Sequence, residues 1–137
     1  MYCEKMKYAD FDGNVREEEL RFNLTQAELL EWELTTEGGM QKLLETIVAE
    51  KDKVKLAEMF KTIILKAYGV KSADGRMFVK TVNGHKVSED FVQTQAYSDF
   101  VMSLFSDPQK QIEFVNAIVP QQVQKNEGSA IPPAVLK

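Results

Sequence analysis

Few side chains in this sequence are of kinds that do chemistry, and their spacing argues against most chemistries. His85 is the single histidine and Cys3 the single cysteine among 137 residues. With no neighbouring acid, cysteine or second histidine, His85 lacks the parts of a triad or a metal site and reads as a surface residue. Cys3 cannot form an internal disulfide and reads as a small strand hydrophobe in a reducing compartment. The densest candidate is Asp10-Phe-Asp12-Gly-Asn14, which superficially matches a calcium loop. Such a loop needs glycine sixth and a bidentate glutamate twelfth, whereas Gly13 stands fourth and Arg21 twelfth. The segment reads as a turn. Asn23-Leu24-Thr25 has the form of a glycosylation acceptor, but without a secretory route it carries no meaning. There is no nucleophile elbow, phosphate loop, dinucleotide fingerprint, zinc spacing or kinase signature. The expectation is a non-enzymatic protein with no catalytic residues, no cofactor and no metal.

Composition narrows the partners. A net charge of −4 and a pI near 5.1 do not supply the basic field a general nucleic-acid binder needs. Lysines and acids are interspersed, so no polybasic patch addresses a membrane, and no apolar run is long enough to span one. The start MYCEKMKYAD lacks the apolar core of a signal peptide, which sets the expectation of an intracellular protein.

The elements follow from periodicity. Residues 2–10 and 14–24 read as a β-hairpin, and its register can be chosen by comparing faces. A three-residue loop, Phe11-Asp12-Gly13 with Gly13 left-handed, gathers Tyr2, Met6, Tyr8, Leu20 and Phe22 on one face. It sets Lys5 against Glu19 and Lys7 against Glu17 on the other, where opposite charges suit solvent. A two-residue Asp12-Gly13 loop would scatter the apolar set. Thr25 and Glu28 then form a capping box that opens a helix over 26–34, with Leu24 and Leu29 placed as its staple. After the break at Thr35–Gly39, a helix over 39–50 carries Met40, Leu43, Leu44, Ile47 and Val48 at amphipathic spacing. Asp52 caps a longer helix that runs to Tyr68, with Gly69 as a left-handed stop. Its broad apolar face (Leu56, Ala57, Phe60, Ile63, Ile64, Ala67) makes it the expected centre of the core and the seat of the hairpin, although Val54 and Leu65 fall on its back. Residues 70–87 fit either a second small hairpin or an ordered loop. Ser88 is placed to cap a helix over 89–105, and Asp107-Pro108 starts a last one that Pro120 stops. The fold class expected is mainly α with an N-terminal β-hairpin (α+β). Residues 1–120 would form one domain with a bundle of about five helices, and 121–137 a flexible tail.

Two places carry more apolar surface than one neighbour can hide. Leu29 and Trp32 lie opposite Ala27, Leu30 and Leu34 on the 26–34 helix, so Trp32 is either core or a partner anchor. The 89–105 helix is apolar nearly all round. It is therefore either central or divided between core and a groove for a helical partner, formed by Tyr97, Phe100, Val101 and Leu104.

Four segments give the sequence a family resemblance: Tyr8-Ala-Asp-Phe-Asp-Gly-Asn14 through Phe22-Asn-Leu-Thr-Gln-Ala-Glu-Leu29; Phe60-Lys-Thr-Ile-Ile-Leu-Lys-Ala-Tyr-Gly69 with Ser72-Ala-Asp-Gly-Arg76; Phe91-Val-Gln-Thr-Gln-Ala-Tyr-Ser-Asp-Phe100; and Phe114-Val-Asn-Ala-Ile-Val-Pro120. In order and spacing it resembles the small tail assembly chaperones of long-tailed bacteriophages, particularly those of Gram-positive-type hosts and related prophages. The resemblance covers most of residues 6–120 and does not extend past Pro120. It implies a largely helical protein of the host cytoplasm, absent from the mature virion. Its partner would be the tape measure protein, with the tail tube protein as a further candidate and self-association open. Neither nucleic acid nor membrane is an expected partner. A structural tail or head–tail joining subunit, or a cytoplasmic protein-binding regulator, are the alternatives.

Overall fold

The computed structural model describes residues 1–120, so the expected flexible tail at 121–137 lies outside the described residues. Strands β1 (Tyr2–Ala9) and β2 (Val15–Phe22) pair antiparallel with Lys5 opposite Glu19 and Lys7 opposite Glu17. This is the three-residue-loop register, and Gly13 sits at φ +84°. Asp10 explains the turn: its carboxylate accepts from the backbone N–H of Asp12 and Asn14 and from the Arg16 guanidinium. Those bonds hold its carboxyl below the ordinary aspartate range, the Arg16 contact most of all. The oxygens a calcium ion would need are spent on the turn. Met6, Tyr8, Leu20 and Phe22 are buried and Tyr2 half-buried, while Lys5 and Lys7 face solvent.

β2 ends at Phe22, and Thr25 caps the helix that follows. Its hydroxyl accepts from Glu28 N–H and its own N–H donates to the Glu28 carboxylate, which opens α1 (Gln26–Thr35). Helices α2 (Gly39–Ala49) and α3 (Lys53–Ala67) come next, the second capped by Asp52 on Val54 N–H. On α3, Phe60, Ile63, Ile64 and Ala67 are buried, whereas Ala57 and the back-face Val54 are exposed.

Beyond α3 the chain departs from expectation. Gly69 is not a left-handed stop. The helix ends because Tyr68 turns extended, and β3 (Tyr68–Lys71) joins β2, with Arg21 opposite Gly69. Glycine has another use there: a Cβ would lie 2.5 Å from the Phe78 ring, which crosses the strand, so a larger residue would have to displace that ring. Strand β4 (Phe78–Val79) pairs with β3, completing the sheet order β1-β2-β3-β4. Strands β5 (Thr81–Val82) and β6 (His85–Lys86) form a separate two-stranded hairpin. Both small pairings lie in the segment left open between hairpin and loop.

The expected 89–105 helix is two. Ser88 is not its cap but a buried residue inside α4 (Val87–Phe91). The chain then turns, and Thr94 caps α5 (Gln95–Ser106) by accepting from Tyr97 N–H while its hydroxyl donates to Phe91 O. A threonine able to bond both ways competes with continued helix, which is the local cause of the break. Asp107 and Pro108 open α6 (Pro108–Ile118) as their types require, the Asp107 carboxylate accepting from Gln109 and Lys110 N–H. The architecture is α+β and mainly α, with six helices among the described residues.

The core is centred elsewhere than the long stripe of α3 suggests. Phe22 is wholly buried and stacks on Phe100 of α5 at 4.7 Å. Phe114 of α6 (5.3 Å), Tyr68 (5.7 Å), Phe91 (6.0 Å) and Tyr2 (6.3 Å) complete its shell. The hairpin therefore sits on α5 and α6, and the Met1 ammonium donates to Ala117 O at the end of α6. Helix α3 forms the next layer and meets α5 through Phe60 against Phe105, an edge-on pair at 5.6 Å.

Candidate partner-binding site

The five residues singled out from sequence divide into three environments. Phe100 and Leu104 have no exposed surface, because their side of α5 faces Phe22 and the hairpin. Trp32 is only 5% exposed, and its ring lies under the Lys66 ammonium at 4.9 Å, a cation–π contact. These three hold the core together and offer a partner little surface in this conformation. Tyr97 and Val101 are half-buried and line one wall of a recess of about 170 Å3 between α5 and α3.

That recess is made by two helical ladders. Tyr97, Val101 and Phe105 recur every four residues along α5; Ala57, Lys61 and Ile64 recur at helical spacing along α3, with Glu58 beside them. The wall is aromatic and aliphatic, and the rim carries one acid and one base. Burial raises the Tyr97 phenol above its ordinary range, so its hydroxyl stays neutral. Periodicity did not single out Phe105, Ile64, Ala57, Glu58 or Lys61 as binding residues. The 97/101/105 spacing was a visible signal for Phe105; the α3 residues became part of the site only when α3 and α5 packed.

A larger recess of about 610 Å3 opens between α1, the end of α3 and the β5–β6 hairpin. Trp32, Leu24, Leu65 and Tyr68 supply its apolar lining, and Lys80 crosses it. The Lys80 ammonium donates to Asn23 O, to Lys66 O in the last turn of α3, and to the Glu28 carboxylate, each at 2.7 Å. Desolvation lowers the Lys80 pKa from the ordinary lysine value, against the opposing pull of Glu28. The spent donors make this lysine a structural tie and not a free cation.

His85 is exposed, but the expectation that it has no acidic neighbour is corrected. Its Nε2 lies 2.9 Å from Asp90 and its Nδ1 3.2 Å from Glu89, because the β6-to-α4 junction folds residues four and five places onward back over the ring. The hydrogen bond to Asp90, with the attraction of both carboxylates, raises its pKa above the ordinary histidine value. A raised folded-state pKa contributes stability that is present below the unfolded value and lost as pH rises through the folded one. In a proton NMR titration the imidazole of the wild type should titrate above about 6.5, and Asp90→Asn should lower its midpoint. An unchanged midpoint in that variant would mean the contact is not populated. Among the described residues no group of three or more His, Cys, Asp or Glu side chains could hold a metal ion.

Comparison with known families bears on what the recesses serve. The family model for phage tail assembly chaperones matches residues 1–132, nearly the whole chain. The chain belongs to that family. The match continues past Pro120, where the resemblance read from the four segments stopped. No curated protein and no solved structure matches the chain. The class is thus an assembly factor of phage tails. No helix among the described residues is long and apolar enough to cross a membrane.

Proposed function

We propose that the protein binds the tape measure protein and keeps it soluble in the host cytoplasm until the tail tube assembles around it. The observation that carries this reading is the α3–α5 recess, where Tyr97, Val101 and Phe105 leave apolar surface beside Ile64 within a family of tail assembly chaperones. A tape measure protein is long, helical and apolar by its task, and a helix laid in a groove with apolar anchors is how such a client is held. The recess is small, so it seats one or two side chains of the client and not its length. Repeated, transient engagement by many chaperone copies along one client fits that dimension.

The test is co-expression with a tape measure fragment. Wild type should keep the fragment soluble, and Tyr97→Ser/Val101→Ser, both half-exposed, should not. Leu104 is unsuitable for this purpose, since a serine at a fully buried position tests folding. If the double variant stays folded and protects equally well, the recess is not the site. If wild type fails to protect any fragment, the tape measure reading falls. Purified virions should lack the protein.

A further inference from the structure

The outer face of α1 bears an apolar stripe that stays largely open to solvent. Leu30 is 55% and Leu34 76% exposed, and exposed Ala27 completes the i, i+3, i+7 spacing on the side away from buried Trp32. Other exposed large apolar residues, such as Phe11, Val54 and Met102, stand on separate elements. The segment that carries the stripe is acidic, although on the Trp32 side Glu31 also borders the larger recess, which Lys66, Lys80 and Lys86 line. Between Thr25 and Gln41 there are four acids, Glu28, Glu31, Glu33 and Glu37, and no lysine or arginine. Glu28 is held by Lys80. The other three are exposed and make no ion pair among the described residues. They also stand in the later half of α1 or just beyond it, where the helix dipole favours cations and the last turn has none. The local arrangement works against the helix's own stability, and cations brought by a partner would relieve it.

We propose that the Ala27/Leu30/Leu34 face of α1 docks an amphipathic helix of another protein whose apolar stripe is flanked by lysine or arginine. Apolar anchors at helical spacing match such a helix along two turns, and the acidic rim selects its flanks. A second copy of α1 is a poor occupant, because symmetric packing would set glutamates against glutamates. An anionic bilayer is repelled for the same reason. This surface is separate from the α3–α5 recess and does not depend on its role.

Two labelled peptides test it, each of roughly 18 residues so as to form five helical turns, with a leucine stripe flanked by lysines in one and by glutamates in the other. Fluorescence anisotropy with the full chain at low salt should show the lysine peptide binding at least about tenfold more tightly than the glutamate peptide. Leu30→Gln/Leu34→Gln should lose about tenfold in affinity. Glu31→Gln/Glu33→Gln/Glu37→Gln should weaken binding and flatten its salt dependence, and Val54→Gln/Met102→Gln, at exposed apolar residues of other elements, should bind the lysine peptide as wild type does. All changed residues are at the surface or half-exposed, and circular dichroism confirms folding. The proposal is overturned if wild type binds both peptides equally or neither, or if the leucine variant binds undiminished. A dimer in sedimentation that the leucine variant abolishes would give the face to a second copy. Displacement of the lysine peptide by a peptide of residues 121–137 would give it to this chain's own end.

Discussion

Phe22→Ala should cost about 3–5 kcal/mol, read as a drop in the denaturant midpoint at unchanged slope. The side chain is wholly buried, and Phe100, Phe114, Phe91, Tyr68 and Tyr2 surround it. These rings come from β1, β3, α4, α5 and α6, so collapse into the vacancy would require several elements to shift together. Limited relaxation is what makes a cavity expensive. Phe60→Ala on α3 should cost less, since Phe60 meets the aromatic system only through Phe105, itself half-buried. A loss under about 1 kcal/mol at Phe22 would place the centre of the core elsewhere.

Lys80→Met should cost about 2–3 kcal/mol, a large effect for the loss of one polar group. Methionine keeps the apolar stem and removes only the ammonium. Asn23 O just past β2 and Lys66 O at the end of α3 then lose their donor, and the Glu28 carboxylate in the first turn of α1 loses its ion pair while keeping the Thr25 N–H. The recess is open, so water recovers part of the loss, which keeps the figure below that of a sealed ion pair. Glu28→Gln should cost less than Lys80→Met, because the two backbone carbonyls retain their donor. If the two variants were equally harmful, the ion pair alone would be the tie. A change of less than about half a kcal/mol for Lys80→Met would mean that the ammonium is not bound to the two carbonyls.

Local sequence determined those features whose physics is local. The hairpin register was legible because a one-residue slip turns every side chain to the other face, and only the three-residue loop placed Tyr2, Met6, Tyr8, Leu20 and Phe22 together. The capping box at Thr25 and Glu28, the restart at Asp107-Pro108 and the Asp52 cap each depend on residues within one turn of one another. Family membership was legible for a related reason, since the matching segments keep their order along the chain. Long-range pairing was not. Tyr68–Lys71 carried a helical stripe up to its first residue, and only the free edge of β2 drew it into a strand. The role of Gly69 was set by a ring nine residues away, and that of Lys80 by carbonyls on two other elements.

The candidate site divides along the same line. Periodicity identified α5 as a helix with apolar residues on too many sides, but it is blind to which side a neighbour occupies. Tertiary packing spent Phe100 and Leu104 on Phe22 and the hairpin, left Tyr97 and Val101 on the α3 side, and buried Trp32 beneath Lys66. It also left Leu30 and Leu34 uncovered on the opposite face of α1. The sequence determined how much apolar surface each helix carries, since that depends on residue type and spacing alone. The tertiary structure decided which of it stays outside, because burial depends on what packs against a face and not on the face itself.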